Sequence, residues 1–294
     1  MSVKKLSFNP GRFADAISKN LYARGLGKAS ALRRERRRRA RLLRKGKTAA
    51  HQELAARLDS CKPKARCRSG ACPECNYAAQ KLYTRLLRNF IGKHAGSRTI
   101  AAVTLIPTQI IPPGNLSVAS HRRAVDRLKY ALRRAGVPWF VGGVDYSFNE
   151  HATNRYPGGW AWHVHGFAPT KNIDRLKRRL KRRFPKTDAV PRPVKVLAWD
   201  GRSIALRYTL KANFERRIGR DDGQRFSKTK GKRTCRVTEK QRLRSAEKRE
   251  LLLHLDQIGF GGRMLLRCAQ FLNARAPEIV LRPPNAVRGS KGVK

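Results

Sequence analysis

Acidic residues are scarce in this chain. Its 294 residues contain 19 Asp and Glu against 68 Lys and Arg, which gives a formal net charge of +49. Such an excess repels itself in the folded state and favours a polyanionic partner, because neutralisation by that partner releases condensed counterions. The composition therefore predicts a nucleic-acid partner, with an acidic membrane surface as the alternative.

Long apolar runs are also missing. No stretch of the chain has the roughly 18 consecutive apolar residues of a spanning helix. The segment from Met1 to Arg12 lacks the apolar core of a signal peptide. The hydrophobic fraction of 40% is nevertheless that of a globular protein. We therefore expect a cytoplasmic protein that has no membrane partner.

Four of the six cysteines form a tight cluster, which is typical of metal binding in a reducing compartment. Four thiolates predict a closed, structural, tetrahedral zinc site, and four free thiols are the alternative. We expect the two arginines between these cysteines, Arg66 and Arg68, to meet phosphates. The predicted zinc ligands are Cys61, Cys67, Cys72 and Cys75.

Charge and periodicity divide the chain into four predicted regions. Residues 1–60 form a basic, partly helical arm, which is interpreted either as solvated and partly disordered or as lying along phosphates and ordering on contact, and the two interpretations are compatible. Residues 61–97 hold the cysteine segment and a helix. Residues 98–218 form the main domain. Residues 219–294 are a basic linker followed by a helical region.

The main domain alternates between strand-like and helix-like periods. This pattern predicts an α+β fold with an antiparallel sheet flanked by helices. Arginines on the predicted helix at 174–184 are expected to follow a DNA backbone, namely Arg175, Arg178, Arg179 and Arg182. The predicted strands are 98–107, 139–148, 160–168 and 194–199, and the predicted helices are 120–135, 174–184 and 203–218.

A pair of histidines lies inside the apolar strand at 160–168. Residues two apart in a strand point to the same face, so His163 and His165 project side by side. Two neutral imidazoles placed in this way are able to share one metal ion. The alternative interpretation is two unrelated histidines.

A tyrosine and a lysine follow on the predicted helix at 203–218. Tyr208 and Lys211 are three residues apart and therefore share a helix face. A phenol ordinarily titrates near pH ~10, and a nearby ammonium favours the nucleophilic phenolate. The pattern thus predicts a tyrosine nucleophile assisted by a lysine, and a packing tyrosine is the alternative.

Together and in this order, these motifs resemble the HUH endonucleases, and within them the rolling-circle replication initiators of bacterial plasmids and phages. Residues 103–107 resemble the family's first motif, the histidine pair its second, and Tyr208 with Lys211 its third. The resemblance implies metal-assisted nicking of single-stranded origin DNA through a 5′-phosphotyrosine intermediate. It implies host helicase and polymerase as further partners.

The resemblance also implies a third metal ligand on the neighbouring strand. Asp145 is the expected ligand, with Glu150 as the alternative, and a site of oxygen and nitrogen ligands suits Mg²⁺ or Mn²⁺. Ile204 occupies the place of a second tyrosine found in some phage initiators, so their strand-swapping scheme does not carry over. A transposase or relaxase of this family and a non-catalytic zinc-containing nucleic-acid-binding protein are the alternative functions.

Overall fold

The computed structural model describes residues 26–211, 214–227, 231–273 and 277–282. The described part has an α+β fold, in which a curled mixed sheet is flanked by helices. The helices are α1 (Leu26–Arg44), α2 (Ala49–Asp59), α3 (Pro73–His94), α4 (Val118–Arg134), α5 (Ile173–Lys181), α6 (Ser203–Arg207) and α7 (Ser245–Arg263), and a 3₁₀ turn (Tyr208–Leu210) follows α6. The strands are β1 (Thr99–Leu105), β2 (Phe140–His151), β3 (Gly159–Thr170), β4 (Val194–Ala198), β5 (Glu215–Ser227), β6 (Gly231–Arg242), β7 (Met264–Arg267), β8 (Ala269–Asn273) and β9 (Pro277–Leu281).

The main sheet has the order β4-β1-β3-β2-β5-β6. The predicted strands at 98–107, 139–148, 160–168 and 194–199 supply its first four members, and these pair antiparallel as expected. The prediction of a wholly antiparallel sheet is wrong, because β5 pairs parallel with the end of β2. The chain crosses one face of the sheet through α6 and the 3₁₀ turn, and it then enters beside β2 in the same direction.

Each face of the sheet covers its own hydrophobic core. One face carries Trp160, Trp162 and Val164, which pack against apolar residues of α4, α5 and α7. The other face carries Val141 and Phe167 at one end, which pack in a core formed largely by α1, α2 and α3. Along β2 the side chains on this second face change from apolar to polar. The far end of the face therefore carries groups that are capable of chemistry.

The chain after the 3₁₀ turn differs most from expectation. The predicted helix at 203–218 ends at residue 210, and the predicted linker contains the antiparallel pair β5 and β6. The predicted helical region contains α7 but continues as strands β7, β8 and β9, and β7 also pairs with β2. The predicted domain boundary at residues 218 and 219 falls inside β5. Frequent charges along β5 and β6 hide their strand alternation.

The basic arm is folded wherever the structure describes it; residues 1–25 lie outside the described part. Helices α1 and α2 bury Leu43, Leu54 and Leu58 in the same core as α3. Arg36 is also buried, with its Nε 2.8 Å from Glu74 Oε1. Partial disorder therefore does not fit residues 26–60, because the apolar side of these helices docks them on the core, whereas the prediction of a partly helical arm does fit; contact of the arm with phosphates stays a prediction.

Within the part of the chain that the structure describes, no helix combines the length and the apolar character needed to cross a membrane.

A buried polar chain lies on the face opposite the histidine pair. The Tyr146 hydroxyl is 2.6 Å from His121 Nδ1 and 2.8 Å from His254 Nε2, and His121 Nε2 is 2.7 Å from the carbonyl of Gly262. Burial lowers the pKa of His254 to about 3 and also lowers the pKa of His121. Both imidazoles are therefore neutral in the folded protein at neutral pH, and they join α4 and α7 to the sheet.

The buried histidines of this polar chain predict a loss of stability in mild acid. The unfolded protein protonates His254 below a pKa of about 6.5, whereas the folded protein resists protonation until about pH 3. Stability is therefore present above the unfolded pKa and falls as the pH drops below it. From this histidine alone, we expect the free energy of unfolding to fall by about 2 kcal/mol between about pH 7 and about pH 5. Urea unfolding at both pH values measures it, and His254→Gln should flatten the dependence. An equally steep dependence in that variant would contradict this origin.

Candidate functional site

The four clustered cysteines converge as predicted. Cys61 follows α2, Cys67 lies in the connecting loop, and Cys72 and Cys75 begin α3. Cys75 Sγ lies 3.7 Å from both Cys61 Sγ and Cys67 Sγ, and Cys72 Sγ lies 3.8 Å from Cys61 Sγ. All four sulfurs lie within 4.8 Å of one another, so the cluster is able to hold a metal ion such as zinc.

The surroundings of the cluster favour a cation at its centre. Hydrogen bonds from the neighbouring thiols lower the pKa of Cys61, while the same contacts raise the pKa values of Cys72 and Cys75. Without a cation, one deprotonated sulfur therefore opposes the ionisation of the next. A zinc ion would remove that conflict, because four thiolates match its preferred ligand set.

Arg66 and Arg68 occupy different environments. The Arg66 side chain is buried, and its NH1 lies 2.8 Å from Glu74 Oε2 and 3.9 Å from Cys61 Sγ. The prediction that Arg66 meets phosphates does not fit this position, because the guanidinium already forms an ion pair with Glu74 and contacts the sulfur cluster. Arg68 is exposed and has a positive φ of 57°. Its contact with phosphate stays a prediction.

The histidine pair lies at the polar end of the sheet face described above. The two rings of His163 and His165 are nearly parallel, with centroids 6.2 Å apart. His163 Nε2 is 2.7 Å from the Ser147 hydroxyl, and His165 Nδ1 is 3.1 Å from the Thr104 hydroxyl. Each imidazole is thus oriented by a hydroxyl on a neighbouring strand.

Both imidazoles are in the neutral form that a metal requires. Burial, aided by nearby Arg217, lowers the pKa of His165 to about 4 and lowers that of His163 well below its usual range. Arg217 stands on β5, where it pairs with Asn149 of β2, and its buried Nε has no hydrogen-bond partner among the described residues. An anion in this pocket would therefore find an available guanidinium beside two neutral histidines.

Tyr208 faces the same pocket from the 3₁₀ turn. Its ring meets the ring of His165 edge-on, with centroids 5.2 Å apart, and 47% of the residue is exposed. Lys211 Nζ lies 5.5 Å from the centre of the Tyr208 ring. The predicted proximity of this tyrosine, this lysine and the histidine pair is therefore present in the structure.

The backbone of this turn is held from two sides. On α3, Gln80 donates to the carbonyl of Arg207 at 2.7 Å and Asn76 donates to the carbonyl of Leu210 at 3.3 Å. On the sheet, a Cβ added at Gly143 would lie 1.8 Å from the carbonyl oxygen of Thr209. Gly143 therefore permits the tyrosine turn to approach the sheet closely.

Asp145 lies directly opposite His163 in the sheet, yet its carboxylate is engaged elsewhere. It is fully buried, with Oδ2 2.8 Å from Lys211 Nζ and Oδ1 3.9 Å from Arg263 NH2. Burial lowers the pKa of Lys211 to about 8. Within the described residues, the four cysteines form the one group of three or more ligands within 4.8 Å, so Asp145 does not join the histidines in this arrangement.

Glu150, the alternative ligand, does not approach the histidines either. It differs in parity from Asp145 along β2 and so points to the opposite face. There it forms an ion pair with Arg216. Glu150 is therefore not in a position to share an ion with His163 and His165.

The histidines and the tyrosine open into a cavity of about 960 Å³. Its apolar wall includes Phe184 and Leu197, and 51% of Leu197 is exposed. A fringe of six cations lines the cavity, and sequence reasoning missed the four outside α5, because they are scattered over β4, β5 and the loop between α5 and β4. The six cations are Lys177, Lys181, Lys186, Arg192, Lys195 and Arg217.

The four arginines predicted from α5 do not line this cavity. Arg175, Arg178, Arg179 and Arg182 are all exposed, which agrees with a surface role. Arg175 and Arg179 line a separate cleft near the end of α4, and the cations of α5 in the tyrosine cavity are Lys177 and Lys181. The helical wheel separates these lysines from the arginines. Residues four apart share a side of the helix, so Lys177 and Lys181 lie on one side and Arg175 and Arg179 on another.

No family model matches the chain, and neither does any curated protein or any solved structure.

The sulfur cluster yields a prediction on metal content. Cys75→Ser should lose the bound metal, because Cys75 Sγ contacts two of the other three sulfurs. We expect about one zinc per chain in the parent protein and a large fall in melting temperature in the variant. Elemental analysis and a thermal melt test both. Cys268→Ser is the control, since Cys268 is a free thiol outside the cluster. Equal zinc in the two variants would contradict the assignment.

The close approach at Gly143 yields a prediction on stability. Gly143→Ala should lower the free energy of unfolding by about 1–3 kcal/mol, because the added methyl group displaces the tyrosine turn or bends β2. Gly92→Ala is the control, because a Cβ there meets nothing within 4 Å and Gly92 lies inside α3. Urea unfolding measures both. If the two variants are equally stable, the turn does not depend on a glycine at 143.

Proposed function

We propose that this protein is a DNA-nicking enzyme of the HUH kind, in which Tyr208 attacks a phosphate of single-stranded DNA. One observation carries the proposal: Tyr208 and the pair His163 and His165 face one cation-fringed cavity. A sugar-phosphate strand needs positive charge for its backbone and exposed apolar surface for its bases. The cavity offers both, because its lining includes four lysines together with Leu197 and Tyr208.

A divalent cation such as Mg²⁺ or Mn²⁺ fits the donors of this pocket in part. The two imidazoles are neutral, lie on one face and border the cavity, whereas Asp145, opposite His163 in the sheet, is held in an ion pair with Lys211. Asp145 would first have to leave Lys211. His163 and His165 are thus the proposed ligands, and the ion would supply Lewis-acid polarisation of the scissile phosphate.

The side chains of the chain itself perform the remaining steps. Arg217 and the lysines of the fringe bind the phosphates on either side of the nick. Lys211 lies beside the Tyr208 ring, and its ammonium stabilises the phenolate once the phenol proton has passed to water. The phenolate oxygen then bonds to phosphorus, and the bond from phosphorus to the 3′ oxygen breaks. The 3′ oxygen takes a proton, which leaves a 5′-phosphotyrosine and a free 3′ hydroxyl.

A free 3′ hydroxyl is a primer, so the reaction suits initiation of rolling-circle replication with a host helicase and polymerase. A relaxase of the same kind would add a third histidine to the pair. Within the described residues, no third histidine joins them in a ligand group. The initiator needs no third histidine, and a transposase remains the alternative with the same chemistry.

A non-catalytic nucleic-acid-binding protein is the second candidate function. The net charge of +49 favours it, as does the engagement of Asp145 by Lys211. In that function the zinc cluster and the basic surface account for all activity. The two candidates differ in one respect, since only the enzyme depends on the Tyr208 hydroxyl.

A covalent adduct distinguishes the two candidates. Incubating the protein with Mn²⁺ and labelled single-stranded DNA from candidate origins should yield an adduct that resists denaturant. Tyr208→Phe should abolish the adduct and leave DNA binding within about twofold, because only the nucleophile is lost. Tyr130→Phe is the matched control, since Tyr130 is similarly exposed on α4. An adduct that persists in Tyr208→Phe, or its absence from the parent protein with every strand, would exclude the tyrosine mechanism.

A further inference from the structure

Helix α5 carries two separate rows of cations on its two sides. Leu176 and Leu180 face the core, and Lys177 and Lys181 border the tyrosine cavity. Arg175, Arg179 and Arg183 are also spaced four residues apart, and they border two clefts on the other side of the helix. The helix therefore forms a wall between the tyrosine cavity and a second basic surface.

Two separate clefts lie along this side of α5, and we name them together the arginine trough. The first, of about 390 Å³, lies beside Gly136, where Arg179 NH1 donates to the carbonyl of Ala135 at 3.3 Å. The second, of about 240 Å³, is lined by Arg123 and Arg127 of α4 and by Arg183. Arginines thus line both clefts, and in the second they come from α4 and from the turn that follows α5.

The lining of the trough selects for phosphate. Hydroxyl and amide groups accompany the arginines, as in many contacts to a DNA backbone. The described residues that line either cleft include no Asp or Glu, so an anion entering the trough meets no carboxylate. These hydroxyl and amide groups belong to Thr108, Gln109, Ser120, Thr170 and Asn172.

The trough lacks what a single strand needs. Unpaired bases bind by stacking on exposed aromatic rings. The aromatic residues that line the trough, Trp162 and Phe184, are 2% and 7% exposed and belong to the core. A double helix, in contrast, keeps its bases stacked internally and offers only phosphates and groove edges.

We propose that the arginine trough binds the sugar-phosphate backbone of double-stranded DNA. Arginine suits this role, because its planar guanidinium is able to donate two hydrogen bonds to one phosphate. Binding of the duplex does not require the tyrosine chemistry. Duplex binding would have one consequence for catalysis: a duplex held on one side of α5 would lead a single strand around the edge of β4 to Tyr208. This consequence rests on the proposed nuclease function.

A charge-reversal experiment tests the trough. Arg123→Glu combined with Arg183→Glu changes two exposed arginines of the second cleft, neither of which lines the tyrosine cavity. The control combines Arg85→Glu with Arg88→Glu, two exposed arginines of α3 that give the same change in net charge. The full-length proteins are titrated with a short blunt-ended DNA duplex and, separately, with one of its strands, at several salt concentrations.

The trough variant should bind the duplex on the order of tenfold or more weakly, and the slope of log Kd against log salt should fall by about two, one for each lost phosphate contact. The control should lose far less affinity for the duplex, and binding of the single strand should change little in both variants. Equal losses in variant and control would overturn the proposal, because general charge would then explain binding. A loss confined to the single strand would overturn it as well.

A milder pair of substitutions guards against misfolding. Arg123→Gln with Arg183→Gln removes both charges without introducing acids, and thermal melting checks that the fold is retained. Weaker duplex binding by this folded variant supports the trough, and unchanged duplex binding refutes it. Because the readout is binding, it stands even if no covalent adduct forms at Tyr208.

Discussion

A single buried guanidinium joins the elements that build the tyrosine cavity. Arg263 is fully buried at the end of α7, where it donates to Asn76 Oδ1 at 2.6 Å, to the carbonyl of Lys211 at 2.8 Å and to the carbonyl of Val144 at 3.3 Å. Burial lowers the pKa of Arg263 to about 10, so the group stays charged at neutral pH. A buried charge is tolerated only when it is paired and hydrogen-bonded. Helices α3 and α7, strand β2 and the segment that follows the tyrosine turn must therefore assemble together.

The requirement that buried polar groups be paired also explains how one face of the sheet holds both a hydrophobic core and the candidate site. Its apolar end is sealed by α3, whereas its polar end holds Asp145 and the two histidines, and each of these groups has a polar or charged neighbour within about 3 Å. The neighbours come from β1, β2 and the segment after the tyrosine turn. Polar groups buried in this way keep fixed orientations, which the proposed phosphate-binding site would need before binding.

Much of this arrangement was open to prediction from the sequence. Alternation identified β1 to β4, spacing identified the cysteine cluster, and parity placed His163 and His165 on one face. Three features were not accessible. Arg217 lies in a segment whose dense charge resembles a helix or a linker, and the engagement of Asp145 depends on Lys211 arriving from a distant turn. The inward position of Arg66 depends on its ion pair with Glu74. From the sequence alone, several neighbouring arginines could equally have formed an ion pair with Glu74.

Local patterns by themselves determined the large positive charge, the strand that carries the histidines and the cluster of four sulfurs, because charge, parity and short spacing act within a few residues. Tertiary structure alone decided which side of α5 faces the tyrosine, which carboxylate pairs with Lys211 and how β5 joins the sheet. These outcomes depend on contacts between residues far apart in the chain, such as Asn76 with Arg263. Their free energies depend on burial, which no local pattern contains.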